Sequence, residues 1–368
     1  MMRYPTMPAA FSLLALFQVV IAAEAMAAPS APTGTKPCAP NGAVHYLCGM
    51  HHPEDLVQIP GTPWILVSGM GGSLPGSPPG GGDLYLLNSK TLRWHSIAQA
   101  ALGRVAHDGK LYGDCPAPDA TQFVTHGLAI RKGEHARHTL YAVNHGGRES
   151  VEVFSIDARG GEPQLSWTGC AEIKESVWLN SVTPLPGKGF IVTSTFDPHD
   201  AQARDKMGRG EYAGAVFEWR PGRGYAHYAN AAATGDNGVT TSRDGRWLYF
   251  NWFFGHQVLR VAADGSGAPS TVKLDFLPDN IGHAPDGSLL VTGQVVDPKE
   301  LMGNCSTGTC THDTRLVQLD PVTLQLRELA HLPANDTYSD GTSAVQVGDT
   351  IFMGSYHGDA VAYMKAPH

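Results

Sequence analysis

The chain has 368 residues, with 43 glycines, 26 prolines and a formal net charge of −8 spread along its length. That mild acidity, with no stretch in which basic and aromatic residues interleave, argues against a nucleic-acid partner. The frequent glycine and proline and the scarcity of long helical periods argue against a helical or doubly wound fold and for an all-β one.

Met1, Met2 and Arg3 lead into an apolar run from Ala9 to Ala23, and Ala25-Met26-Ala27 follows as a small-x-small cleavage site. This pattern predicts a signal peptide over residues 1–27 and an exported mature chain, periplasmic or secreted. The run is short for a membrane span and no later run is long enough, so no stable membrane insertion of the mature chain is expected. Residues 28–368 show no linker, charge block or low-complexity break and read as one domain. Six cysteines, Cys38, Cys48, Cys115, Cys170, Cys305 and Cys310, suggest disulfides in an exported chain. Cys305 and Cys310 are spaced for a local bridge and Cys38 can close the short arm before Cys48, which leaves Cys115 with Cys170. Spacing does not fix this pairing. Zinc held by Cys48, His51 and His52 would lack a fourth ligand at a sensible spacing.

From Glu54 onward the chain has a beat. Glu54, His126, Asn180, Asn237 and Asn280 each stand six or seven positions ahead of a tight-turn dipeptide: Pro60-Gly61, Lys132-Gly133, Pro186-Gly187, Asp244-Gly245 and Asp286-Gly287. Gly341-Thr342 precedes Gly348-Asp349 in the same way. After each turn comes a short apolar strand, at 64–67, 140–143, 190–193, 247–250, 289–291 and 351–353. A second strand follows each, at 83–87, 151–156, 215–219, 257–261, 315–319 and 360–363. Six such units predict a six-bladed β-propeller, with 43–47 as the N-terminal strand that closes the last blade. The competing fold is a β-sandwich with irregular repeats.

Residues at one phase of six blades converge on a central channel. Glu54 and Asp279 supply carboxylates there, and Asn180, Asn237 and Asn280 supply amide oxygens. Five hard oxygen donors with two negative charges describe a calcium site with room for water or substrate. No thiolate and few imidazoles share the phase, which disfavours softer metals. One asparagine alone would more often satisfy a turn; recurrence at one phase is what favours a ligand role. Calcium with open positions polarises a carbonyl and stabilises an oxyanion. His126, at the same phase in the second unit, is the candidate general base, and His145 at the end of the next strand is its partner. The sixth unit, with Gly341-Thr342, reads as the place where the ring leaves room for substrate.

These residues and their surroundings resemble the serum paraoxonases, the calcium-dependent lactonase and arylesterase family. The carriers are Pro53-Glu54-Asp55-Leu56, Thr125-His126-Gly127-Leu128, Val143-Asn144-His145, Leu179-Asn180-Ser181-Val182, Asn237-Gly238-Val239, Asp279-Asn280-Ile281 and Met353-Gly354-Ser355-Tyr356-His357. The resemblance implies a catalytic calcium on Glu54, Asn180, Asn237, Asp279 and Asn280, a His126–His145 dyad, and a lactone or ester substrate. It also implies a pocket carboxylate at Asp197. A second calcium would use Asp55 and the carbonyl of Leu128, but Ser181 stands where the family has an aspartate. The family's ring-closing disulfide has no counterpart, because no cysteine follows Cys310. The loop 198–212 is more charged than an apolar lid, which departs from lipid association. More distantly the chain is similar to gluconolactonase and regucalcin, which implies a sugar lactonase. A non-catalytic ligand-binding propeller is the alternative from another class.

Overall fold

Along a strand, successive side chains point to opposite sides, and here both sides of the second strand in each unit carry apolar residues. A computed structural model shows where they go; it describes residues 1–2, 33–34, 37–71, 81–228, 235–303 and 310–367. The predicted signal peptide beyond Met2, and Cys305, lie outside the described residues. Ala31–His368 forms one compact unit.

Six antiparallel sheets make a ring of six blades, as the beat predicts. Blade 1 runs Pro53–Gln58, Trp64–Gly69, Asp83–Asn88, Trp94–Ser96 from the axis outward, and blade 2 runs Thr125–Arg131, Arg137–Asn144, Ser150–Asp157, Gln164–Glu172. Blade 3 is Trp178–Pro184, Phe190–Phe196, Ala215–Arg220, Gly224–His227, and blade 4 is Val239–Thr241, Trp247–Trp252, Gln257–Ala262, Ser270–Lys273. Blade 5 is Leu277–His283, Leu289–Val295, Asp313–Leu319, Leu326–Leu332. Blade 6 is Gly341–Val347, Thr350–Ser355, Ala360–Lys365, completed by Val44–Cys48 and Pro37–Asn41 from the other end of the chain.

The hydrophobic core is divided among the interfaces between neighbouring blades. Leu66 packs toward Leu128 and Leu140 of blade 2, while Ile65 and Val67 beside it pack toward Phe352 and Val361 of blade 6. In blade 2, Leu140 and Ala142 face blade 1, and Tyr141 and Val143 face Phe190 and Val192 of blade 3. The same division recurs at Ile191 and Phe250, at Tyr249 and Leu289, and at Leu290 and Ile351. A shift of one residue in any of these strands would exchange its two neighbours.

Closure rests on strand pairing. Ala360 pairs with Cys48 and Tyr363 with His45, and Thr33–Gly34 pairs with the outer strand of blade 1. The N-terminal arm thus straps blade 1 to blade 6. Cys38 is bonded to Cys48 across the hairpin of that arm, and Cys115 to Cys170 beside blade 2. Cys310 is also disulfide-bonded. Two such bridges suit a protein that folds in an oxidising compartment. Cys48 is therefore not a thiolate that could serve zinc.

Among the described residues no helix is long and apolar enough to cross a membrane. The charged loop 198–212 carries a short helix, Ala203–Gly208, whose Ala203 and Met207 are buried. Met207 packs with Phe253, Phe254 and Leu301, the last on the helix Pro298–Gly303. Its charges face outward from an apolar anchor, a division that net charge along the loop conceals.

If the N-terminal arm holds the ring shut, Leu47→Ala, at a buried position in the closing strand, should lower unfolding free energy by about 2–5 kcal/mol. Denaturant unfolding of the two proteins measures it, and an unchanged midpoint would show that the seam carries no load.

Candidate functional site

Each innermost strand except that of blade 4 breaks register near its start. In blade 1, Pro53 pairs with Gly69 and Leu56 with Val67, so Glu54 and Asp55 together oppose Ser68. The same two-against-one arrangement places His126 and Gly127 in blade 2, Asn180 and Ser181 in blade 3, Asp279 and Asn280 in blade 5, and Thr342 and Ser343 in blade 6. Such β-bulges release a side chain from the ladder and re-aim it. In blade 4, Asn237 and Gly238 precede the strand, and the Asn251 N–H donates to the Gly238 carbonyl at 2.8 Å. A Cβ on Gly127 would lie 2.3 Å from the Asn180 carbonyl oxygen, and one on Gly238 2.5 Å from that of Asp279. Neighbouring backbones come that close here.

The bulges refine the sequence phase. Asp279 is the register equivalent of Glu54, His126 and Asn180, whereas Asn280 falls with Asp55, Gly127 and Ser181. Asn280 still reaches the same place, because its Nδ2 donates to Glu54 Oε1 at 2.6 Å. The sixth blade does not leave space at this level. Thr342 and Ser343 are buried, and their hydroxyls donate to the Glu54 carbonyl at 2.5 and 2.7 Å. Below the bulges the axis opens into a cavity of about 400 Å³, from Asp55, Leu128, Ser181, Asn280 and Ser343 at one end to Arg243 and His283 at the other.

Glu54, Asn180, Asn237, Asp279 and Asn280 are all buried. Glu54 Oε2 and the Oδ1 atoms of Asn180, Asn237 and Asn280 are buried acceptors without a hydrogen-bond partner among the described residues. The amide nitrogens of Asn280 and Asn237 are instead engaged with the carboxylates of Glu54 and Asp279. Burial, then the nearby Asp55 and Asp279, pushes Glu54 well above the usual carboxylate range. Burial likewise raises Asp279 to about 7 and the adjacent Asp236 to about 8. Acceptors and carboxylates buried without compensation are costly, and a hard divalent cation would satisfy them together. Among the described residues no three carboxylate, imidazole or thiolate groups form a metal cluster; the donors are two carboxylates and three amide oxygens.

His126 and His145 meet. His126 Nδ1 lies 2.9 Å from His145 Nε2, and His145 Nδ1 lies 3.0 Å from both oxygens of Glu149. A carboxylate only accepts, so His145 Nδ1 carries a proton; with His145 neutral, its Nε2 accepts from His126 Nδ1 and His126 Nε2 keeps its lone pair. That atom stands 3.7 Å from Glu54 Oε2. Burial, then repulsion from His145, holds His126 well below the usual imidazole range, which favours its neutral form. Trp178 stacks on His145 with centroids 4.1 Å apart and fixes its plane. Sequence reasoning missed Glu149, which also accepts the Leu179 N–H at 2.6 Å; its place four residues after His145 was the available signal. It missed Asp236 as well, one residue before Asn237.

Two other predicted positions are otherwise engaged. Asp55 accepts the Leu56 N–H at 2.8 Å and the Leu128 N–H at 2.7 Å, one on each oxygen, and Ser181 Oγ accepts from Val239 N–H. Asp55 is thus a brace between blades 1 and 2, and burial raises it to about 7 despite these two donors. Asp197 accepts the Ser176 hydroxyl and the His199 N–H, which ties it to its own loop at the end of the second strand of blade 3.

No family model and no curated protein matches the chain. Among solved structures, a luciferin-regenerating enzyme is 10% identical over 90% of this chain and 96% of its own, with a TM-score of 0.53. A gluconolactonase from Xanthomonas campestris is 15% identical over 93% of this chain and 98% of its own, with a TM-score of 0.50. At such identities the likeness speaks for the fold alone.

Since the bulge of blade 2 leaves no room for a Cβ, Gly127→Ala should cost about 1–3 kcal/mol through displacement of the blade 3 backbone. Thermal unfolding measures the loss; a neutral substitution would mean that the two backbones are not so close.

Proposed function

We propose that this propeller is an exported, calcium-dependent hydrolase of the paraoxonase type, which opens lactones and cleaves aryl esters as a secondary activity. The observation that carries the reading is the contact between two systems: Nε2 of His126, in the His126–His145–Glu149 relay, stands 3.7 Å from Oε2 of Glu54, and that atom and the Oδ1 atoms of Asn180, Asn237 and Asn280 are buried oxygens without a partner among the described residues. Glu54, Asn180, Asn237, Asp279 and Asn280 would hold the ion, which when bound polarises the substrate carbonyl and favours negative charge on its oxygen.

The remaining work belongs to the chain. His126 Nε2 removes a proton from the attacking water, and the charge that develops on its ring is shared through Nδ1 with His145 and compensated by Glu149. Trp178 keeps the His145 ring in plane with that path. Asn237 and Asn280 hold the carboxylates of Asp279 and Glu54 in fixed orientation. Sugar lactones are the alternative substrate class.

A panel of acyl-homoserine lactones, sugar lactones and aryl esters, run with and without calcium, tests the reading. EDTA should abolish turnover, and His126→Gln should lower kcat by about 10²–10⁴-fold; full activity in metal-free protein would sink the proposal. Ion binding has its own readout. Calcium should raise the melting temperature of EDTA-treated protein, and Asn180→Ala should diminish that rise. Glu149→Gln should reduce kcat by about 10- to 100-fold while leaving the calcium shift in place, since Glu149 acts through His145.

A further inference from the structure

A second carboxylate–imidazole pair, Asp340 with His312, lies between blades 5 and 6, and the same carboxylate has His357 Nδ1 3.3 Å from its Oδ2. Asp340, immediately before the inner strand of blade 6, is fully buried, and His312, immediately before the third strand of blade 5, is 8% exposed. His312 Nδ1 lies 2.5 Å from Asp340 Oδ1, the His312 N–H donates to Asp340 Oδ2 at 3.3 Å, and the Asp340 N–H donates to the His312 carbonyl at 2.9 Å. Three contacts between two residues lock the imidazole in one orientation. Its other nitrogen, Nε2, is buried and has no hydrogen-bond partner among the described residues. A buried ring nitrogen without a partner is costly to keep, and a carboxylate on the opposite nitrogen is the arrangement that readies an imidazole for proton transfer.

The pair is joined to the cluster of oxygens. Gln294 Nε2 donates both to Asp279 Oδ2 at 2.8 Å and to the Gly341 carbonyl at 2.9 Å, one residue from Asp340. Both members stand at the strand ends where the bulges begin, since Leu277 pairs with Gln294 and Gln294 with Thr314. His126 belongs to blade 2 and His312 to blade 5, opposite one another in a six-membered ring.

Opening a lactone needs protons moved at two places: one leaves the attacking water, and one is gained by the ring oxygen when its bond to the carbonyl carbon breaks. Resting on the proposed lactonase reading, we propose that His312, oriented by Asp340, is the acid that protonates the departing alkoxide. Water's oxygen forms the new bond to carbon and its proton passes to His126. The C–O bond electrons go to the ring oxygen, which takes the proton from Nε2 of His312 in its imidazolium form, whose charge Asp340 balances; the imidazolium of His126 afterwards loses its proton to solvent while His312 regains one. No other reactant is required.

Leaving-group dependence distinguishes this role. A nitrophenolate leaves without protonation, whereas an alkoxide does not, so His312→Gln should lower kcat/KM on an alkyl δ-lactone by about 10²-fold and on 4-nitrophenyl acetate by no more than about twofold. Asp340→Asn should show the same split, as a positioning residue would, and it serves if His312→Gln is shown by thermal unfolding to be misfolded. Equal losses on both substrates, or none on either, overturn the assignment. His126→Gln, by contrast, should depress both substrates together. Its failure to do so would refute the base and leave the split at His312 to be read separately. Protein without activity toward any lactone or ester would remove both.

Discussion

Every blade of this ring is buried on both faces, and the rest of the structure follows from that constraint. A sheet with one wet face tolerates slippage and local repacking; a sheet packed between two neighbours does not. Leu66 and Val67 are consecutive, yet they belong to different interfaces, as do Leu140 and Tyr141, and Leu290 and Val291. Each second strand is therefore held in register from two directions, and the innermost strands inherit that register through the ladder.

Against this rigid frame the bulges are the places where a side chain escapes the alternation. An extra residue at the same height in five blades brings polar groups toward the axis that the apolar period would otherwise send between blades. The energetic consequence is concentrated. Carboxylates at Glu54, Asp236 and Asp279, all raised by burial, share a small volume with amide oxygens that have nothing to accept from. The ring is stiff enough to hold them there without collapse, which is the condition for preorganised electrostatics. Histidines hydrogen-bonded to carboxylates stand beside this cluster: His145 with Glu149, and through it His126, on blade 2, and His312 with Asp340 between blades 5 and 6.

Much of the frame was legible in the chain. The tight turns and the apolar strands that follow them place the third strands within two residues of their final bounds and the second strands within four, and 43–47 pairs with the last blade as its alternation suggests. The joining of His126 to His145 was legible from phase. What phase misjudged was local: it matched Asn280 with Glu54, although the bulge makes Asp279 the equivalent, because the turn dipeptide of blade 5 comes one residue later after the bulge than those of blades 1 to 3. It also took blade 6 as an opening, where the hydroxyls of Thr342 and Ser343 close on the Glu54 carbonyl. Those contacts join residues nearly three hundred positions apart, and no local pattern encodes them.

By itself, then, the sequence determined the fold class, the number of blades, the closing strand and the list of polar residues that reach the axis, because each depends on short-range periodicity and turn chemistry. Only the tertiary structure decided which oxygens lack partners, which imidazole nitrogen keeps its lone pair, and that Asp55 braces two blades. It also revealed the hydrogen bonds of Glu149 to His145 and of Asp340 to His312, and the burial of Asp236 beside Asn237. These depend on contacts between blades, and such contacts exist only once the ring has closed.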